Sequence, residues 1–314
     1  MKILITEFIN KNSLDDLNNN FEIKFDEKLW EKEKELLEII KDYDGLIVRN
    51  KTQVNKDILS NANNLKFIGR LGVGLDNIDT EFCKTKNIHV QPATGMNADS
   101  VAEYVISSSM SLIKKIPMFH NGTVKGDWPR TIIKSAEING KCIGIVGFGT
   151  IGRKVADYSL KNGLNVLAYD PYIKKLDDNE KNYKLSSLED VFKNADIISL
   201  HLPLTEETKN LINKSSFSKM QKQPIIINTS RGKVIDEAAL ADLLSQSKIA
   251  GAGLDVFERE PSVSKVLLGA PNTVLLPHMG SATVEARIEM GEKVIINIQT
   301  LLNGHRPPDR ILND

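Results

Sequence analysis

Lys141-Cys142-Ile143-Gly144-Ile145-Val146-Gly147-Phe148-Gly149-Thr150-Ile151-Gly152 is the stretch that decides the fold of this chain. Its first half is a short apolar run of strand character, and it leads without a break into Gly-x-Gly-x-x-Gly. At such a turn the first glycine bends the chain and the second lets a pyrophosphate approach the backbone. The third allows close helix–strand packing, and the helix N-terminus then faces the phosphates. Outward from it, residues 151–161 read as a helix and residues 165–170 as the next strand, which ends on Asp170. That acid follows Gly152 by eighteen residues, close to the spacing of a carboxylate that accepts hydrogen bonds from an adenosine ribose. A glycine-rich turn with Asp170 as a mere strand end is the competing reading, but it does not require strand, glycines, helix and acid in this order. Pro171 and Tyr172 follow, with no arginine beside them to meet a 2′-phosphate, so NAD is favoured over NADP.

The same rhythm extends through the chain. Short apolar runs lie at residues 2–6, 45–49, 65–70, 87–91, 195–200, 224–229, 251–256 and 273–276. Most are unbroken rather than alternating, as in strands covered on both faces. Helical patterns at residues 30–41, 188–193 and 237–245 separate them, so parallel α/β sheets are predicted. Two longer helices, at 97–115 and 283–302, are placed to carry the chain from one domain to another and back. The predicted division is 1–96 with 282–314, and 97–281. The Asn-rich stretch 10–20 reads as a loop with a short surface helix.

Composition narrows the function. The chain has 314 residues, enough for two domains. Its 41 basic and 41 acidic residues leave no net charge, which argues against nucleic acid as a partner. Cys83 and Cys142 are the only cysteines, too few for a disulfide framework or a four-cysteine zinc site. No metal site is expected. The N-terminus has no signal-peptide pattern, and no run approaches the roughly 20 apolar residues that span a bilayer. A cytoplasmic protein without membrane contact is predicted.

In open parallel sheets, ligands gather outside the carboxyl ends of strands. Three such ends carry reactive groups: Asn228-Thr229-Ser230-Arg231-Gly232, then Asp255 followed by Glu258 and Glu260, then Pro277-His278-Met279-Gly280. A histidine can donate a proton to a carbonyl oxygen near neutral pH. A carboxylate beside it orients the ring and favours its charged form. An arginine can hold a substrate carboxylate and polarise the keto oxygen. His201 also follows a strand and competes for the histidine role, whereas His89, His120 and His305 read as structural or solvated. Spacing alone leaves Glu258 and Glu260 equivalent.

With these residues in view, the sequence resembles the D-isomer-specific 2-hydroxyacid dehydrogenases. The resemblance is carried by residues 146–152, by Leu202-Pro203-Leu204-Thr205-Glu206-Glu207-Thr208, by Ile227 to Gly232 with Val234-Ile235-Asp236-Glu237, by residues 253–261 and by 277–283. Gly69-Arg70-Leu71-Gly72-Val73-Gly74-Leu75-Asp76-Asn77-Ile78-Asp79 and Ser100-Val101-Ala102-Glu103 extend it over nearly the whole chain. It implies a Rossmann-type cofactor domain and a flavodoxin-like substrate domain with the active site in the cleft between them. Arg231, Glu260 and His278 take the catalytic positions. Gly147, Gly149, Thr150, Ile151, Gly152, Asp170, Leu202, Pro203, Thr208, Thr229, Ser230, Asp255 and Gly280, with His278, take the cofactor positions. The N–H groups around Val73 and Gly74 would receive the substrate carboxylate. A homodimer through residues 97–130 is implied, with Trp128 where some relatives close the partner's pocket.

For the substrate, Arg49 and Arg70 stand at neighbouring strand ends and suit a second anionic group; alternatively they pair with acids such as Asp76 or Asp79. A second anion fits 3-phosphoglycerate, as in phosphoglycerate dehydrogenases, or sulfolactate. Glyoxylate and hydroxypyruvate reductases carry related motifs. Because the chain stops at Asp314, the serine-sensing domain of longer phosphoglycerate enzymes is expected to be absent. An NAD(H)-sensing, corepressor-like binding protein is the reading from another class. Formate dehydrogenases rank low, because they carry Gln where Glu260 stands.

Overall fold

The computed structural model describes residues 1–131, 134–177, 180 and 182–307. The chain folds as two compact units, Met1–Asn97 with Ala282–Asp314, and Ala98–Ser281.

The first unit is built on strands β1 (Lys2–Ile5), β2 (Glu22–Phe25), β3 (Gly45–Val48), β4 (Phe67–Arg70) and β5 (His89–Pro92). They pair in parallel in the order β2-β1-β3-β4-β5, the flavodoxin-like order. Successive residues serve opposite faces. Ile3, Ile5, Ile47 and Phe67 pack with Leu17 of α1 (Lys11–Asn20) and with Val294 and Ile298 of α12 (Val284–Leu302). Leu4, Leu46, Val48 and Ile68 pack on the other side with Leu36 of α2 (Glu33–Ile39) and Ile58 of α3 (Lys56–Asn61). Both faces are dry, which is why these strands read as unbroken apolar runs.

Two expectations need correction here. The stretch expected to be a loop with a short surface helix is one helix from Lys11 to Asn20: Asn10 caps it through Ser13 N–H, and Leu17 is fully buried. Leu14 and Leu17, one turn apart, supply enough apolar stripe to dock it despite its polar neighbours. The segment Glu-Ile-Lys-Phe forms β2, which sequence reading missed. An edge strand half in water has no continuous apolar run to betray it.

The second unit holds β6 (Cys142–Val146), β7 (Asn165–Tyr169), β8 (Lys184–Leu185), β9 (Ile197–Leu200), β10 (Ile225–Asn228), β11 (Gly251–Leu254) and β12 (Thr273–Leu275). All are parallel, in the order β12-β11-β10-β9-β6-β7-β8. The order reverses between β6 and β9, the switch point where Rossmann sheets hold dinucleotides. Helices α5 (Ala98–Ile113) and α7 (Thr150–Lys161) cover one face around Ile143, Ile145 and Ile197. On the other, α8 (Leu188–Asn194) and α10 (Glu237–Ser245) enclose Val146, Ile198, Leu200 and Ile226. Every strand in this sheet therefore delivers its C-terminal residue to one edge.

Candidate active site

At the end of β6 the glycine turn has little room for side chains. Gly147 has φ +95°, a left-handed conformation suited to glycine, and a Cβ there would strike the backbone of His201. A Cβ on Gly152 would strike the Gly147 carbonyl, so α7 can start only this close to β6 with glycine at that position. A Cβ on Gly149 would meet nothing within 4 Å, leaving open space over the turn. No side chain caps α7 at Gly149, and its first turn begins with Thr150 and Ile151. Open space over an uncapped helix N-terminus fits a dinucleotide pyrophosphate. At the end of β7, Asp170 accepts the Phe148 N–H through Oδ2 and the Tyr172 N–H through Oδ1, both at 3.0 Å. The carboxylate is thus fixed to the glycine turn, and each oxygen retains a lone pair for a ribose hydroxyl.

The three reactive strand ends are each locked by backbone hydrogen bonds. After β10, Asn228 accepts from Ser230 N–H and Oγ–H, and its amide donates to the Arg231 carbonyl at 2.9 Å. Arg231 Nη1 donates to the Ser230 carbonyl at 2.6 Å. After β11, Asp255 accepts Met279 N–H and Gly280 N–H, both at 2.7 Å, and so pins the loop that bears His278. Ser100 of α5 donates to the Gly280 carbonyl from the other side at 2.6 Å. Asp255 is buried, and burial raises its pKa; the two amides, acting the other way, do not fully offset that. Asp255, a cofactor position by resemblance, therefore also holds this loop, which the sequence does not show.

His278 Nδ1 and Glu260 Oε2 lie 2.7 Å apart. Glu260, and not Glu258, is thus the acid on the ring. His278 has φ +54°, an unusual conformation for a residue with a Cβ, held by the two amide bonds that follow it. Burial raises the Glu260 pKa, but the hydrogen bond and charge of His278, the Phe257 N–H and the charge of Arg231 outweigh it. The net shift is downward. A lowered carboxyl pKa contributes stability that is present above its ordinary range and lost as pH falls through the lowered value. In His278→Ala, burial acts with less opposition, so the Glu260 pKa should rise. A ¹³C NMR titration of the Glu260 carboxyl in both proteins checks this; an unchanged titration would break the pair.

His201, the competing histidine, serves otherwise. Its ring nitrogens face Ser199 Oγ at 2.8 Å and Thr229 Oγ1 at 3.4 Å, and desolvation pushes its pKa down to about 3. It is neutral at physiological pH and a poor proton donor. Leu202 and Pro203 begin the loop after β9, which Thr208 folds by donating to the Pro203 carbonyl at 2.7 Å. Thr229 and Ser230 follow β10 directly, and Ser230 is buried.

In the first unit, Glu7 is buried and accepts the N–H groups of Arg49, Lys51 and Thr52. It shapes the loop after β3 without hydrogen-bonding the Arg49 guanidinium. Arg49 lines a small pocket with Phe8, Leu71, Arg287 and Met290. Burial, with the charge of Arg287, lowers the Arg49 pKa. Arg287, on the first turn of α12, was not anticipated; the signal available was its position shortly after His278. Arg70 Nη1 donates to the Leu71 carbonyl at 2.8 Å over the Gly72 backbone. Among the described residues, no acceptor is paired with the N–H of Val73 or Gly74.

The chain resembles known proteins over nearly its whole length. Residues 106–280 match the family described as D-isomer specific 2-hydroxyacid dehydrogenase, NAD binding domain. The chain is 38% identical over 305 residues to a D-3-phosphoglycerate dehydrogenase of Methanocaldococcus jannaschii, covering 97% of this chain and 58% of the relative. It thus spans little more than half the length of that relative. It is also 38% identical over 300 residues to a hydroxypyruvate reductase of Thermotoga maritima, covering 95% of this chain and 97% of the relative. A glyoxylate reductase structure from Paecilomyes thermophila superposes with a TM-score of 0.88 at 27% identity, covering 99% of this chain and 98% of that one. A glycine turn at the Rossmann switch point, an Arg–Glu–His set on the strand ends and these relatives have one reading: this chain belongs to the D-isomer-specific 2-hydroxyacid dehydrogenase family.

Proposed function

We propose that the chain is an NAD-dependent oxidoreductase that interconverts a small 2-hydroxy acid and its 2-keto acid. The observation that carries the reading is the His278–Glu260 pair, 2.7 Å apart, on strand ends neighbouring that of Arg231. Glu260 holds Nδ1, which leaves Nε2 to donate a proton to the keto oxygen or to take it from the hydroxyl. Arg231 grips the substrate carboxylate and polarises the carbonyl. In the first unit, the N–H groups of Val73 and Gly74 are the candidates for receiving a substrate carboxylate. The Gly147–Gly152 turn and Asp170 would hold the dinucleotide, which would supply or accept the hydride. Asp170 supports NAD rather than NADP, since a fixed carboxylate welcomes ribose hydroxyls and repels a 2′-phosphate.

The substrate carries a second anion, as 3-phosphoglycerate does. What supports this is the pairing of two cations, since Arg49 and Arg287 line one water-sized recess with no acid in its lining. Arg49→Ala should raise KM about 10-fold to 100-fold for phosphohydroxypyruvate or sulfopyruvate, the loss of a charge-assisted hydrogen bond. Glyoxylate, which lacks the extra charge, should be little affected. Equal effects on all three would remove Arg49 from the pocket.

A homodimer through residues 97–130 fits the surface of the second unit. Helix α6 (Ile116–Val124) buries none of its residues, and Val124 and Trp128 are 72% and 78% exposed. Neighbouring apolar side chains of this size left in water mark an interface. Cys83 and Cys142 are both unpaired, in keeping with a reducing, cytoplasmic setting. The reading as a whole is tested by an NAD(H)-linked screen of phosphohydroxypyruvate, sulfopyruvate, hydroxypyruvate and glyoxylate. Tight NADH binding with turnover of none of them would favour a sensor over an enzyme.

A further inference from the structure

We infer that Glu237 is a positioning residue that fixes the Glu260 loop against the Arg231 loop through the Glu258 backbone. This rests on the reading of Arg231, Glu260 and His278 above. Glu237 opens α10, where an acid would ordinarily face water and favour the helix dipole. Here it is only 6% exposed, and among the described residues it has no cationic partner. What it has is the Glu258 N–H, donated to Oε1 at 2.6 Å. Burial raises its pKa, the Glu258 N–H lowers it, and the Glu258 carboxylate raises it further; the net shift is upward. A carboxylate kept in such a place costs stability, which the Glu258 N–H offsets only in part.

Its use follows from what the bond joins. Glu237 lies five residues beyond Gly232, and Gly232 packs on the backbone of Phe257 and Glu258 so closely that a Cβ would overlap it. The two loops are therefore in backbone contact at Gly232 and tied again at Glu237. Glu258 stands two residues before Glu260, and the Phe257 N–H reaches back to Glu260 Oε1 at 3.2 Å. A shift of the Glu258 backbone moves both the residue that carries the imidazole's partner and the amide that steadies it. Glu237 touches neither substrate nor cofactor in this scheme. It sets where Glu260 stands.

The test compares Glu237→Leu, which removes the acceptor, with Glu237→Gln, which keeps an oxygen for the Glu258 N–H. In the leucine variant kcat/KM for ketoacid reduction should fall about 10-fold to 100-fold, the scale of a small misplacement near the reacting groups. Its pH profile should also differ from that of the wild type, because the Glu260 carboxyl no longer meets the His278 ring at hydrogen-bond distance. NADH affinity should stay within about twofold, and the glutamine variant should recover most of the rate and the profile. In a Glu260→Gln background, Glu237→Leu should add little, since its effect passes through Glu260. Glu237→Ala replaces the leucine variant if that one does not fold. Wild-type rate and pH profile in the acceptor-less variant would overturn the proposal, as would full additivity with Glu260→Gln. Failure of the underlying reading shows separately, as a Glu260→Gln enzyme of undiminished activity.

Discussion

His278→Ala should lower kcat/KM for ketoacid reduction by about 10²-fold to 10⁴-fold, the usual contribution of a positioned general acid, with NADH affinity nearly unchanged. The separation is expected because His278 is held from behind by groups that the substitution leaves in place. Asp255 binds the amides of Met279 and Gly280, and Ser100 binds the Gly280 carbonyl, so the loop keeps its course without the imidazole. The turn at Gly147 and the Asp170 carboxylate lie on other strands of the sheet and make no hydrogen bond to His278. His201 cannot stand in, for its ring is neutral and already engaged by Ser199. Stopped-flow reduction and NADH fluorescence titration on the same preparation separate chemistry from binding. Near-normal turnover in the variant would sink the assignment of His278 as proton donor.

Much of this site was legible in the sequence because parallel strands buried on both faces announce themselves as unbroken apolar runs. Their ends then point to one edge by topology alone. The glycine turn, Asp170, Arg231 and His278 all follow from that rule, and Glu260 was separated from Glu258 only by resemblance. What was not legible depends on contacts between residues far apart in sequence. Asp255 and Met279 are joined across two strand ends, and no spacing rule connects them. Glu237 looks like any first-turn helix acid until its burial is known. Arg70 reads as a pocket cation, and no spacing rule shows that its Nη1 also bonds the Leu71 carbonyl, over a glycine that leaves space for it. Arg287 is a further cation that the sequence does not single out, because only the course of α12 brings it beside Arg49.

Arg231 is expected to carry the other large effect, and its two roles make the kinetics diagnostic. Arg231→Ala should lower kcat/KM by about 10³-fold, near the upper end for loss of a preorganised donor on a developing oxyanion. Both parameters should move: KM rises because the substrate carboxylate loses its clamp, and kcat falls because the carbonyl is no longer polarised. Arg231→Lys keeps the charge but not the planar fork, so it should recover only part of the loss. The backbone should survive either change, since Asn228 holds the Arg231 carbonyl rather than its side chain, and Gly232 packs on the Phe257 backbone independently of the guanidinium. A second signature lies in Glu260, whose pKa is held down in part by the Arg231 charge. In Arg231→Ala that carboxyl should titrate at higher pH, and the pH at which the His278–Glu260 pair is lost should rise with it. Steady-state kinetics of both variants, together with the Glu260 titration, distinguish this from a remote structural defect. A change confined to KM, with kcat and the Glu260 titration unmoved, would leave Arg231 a binding residue alone.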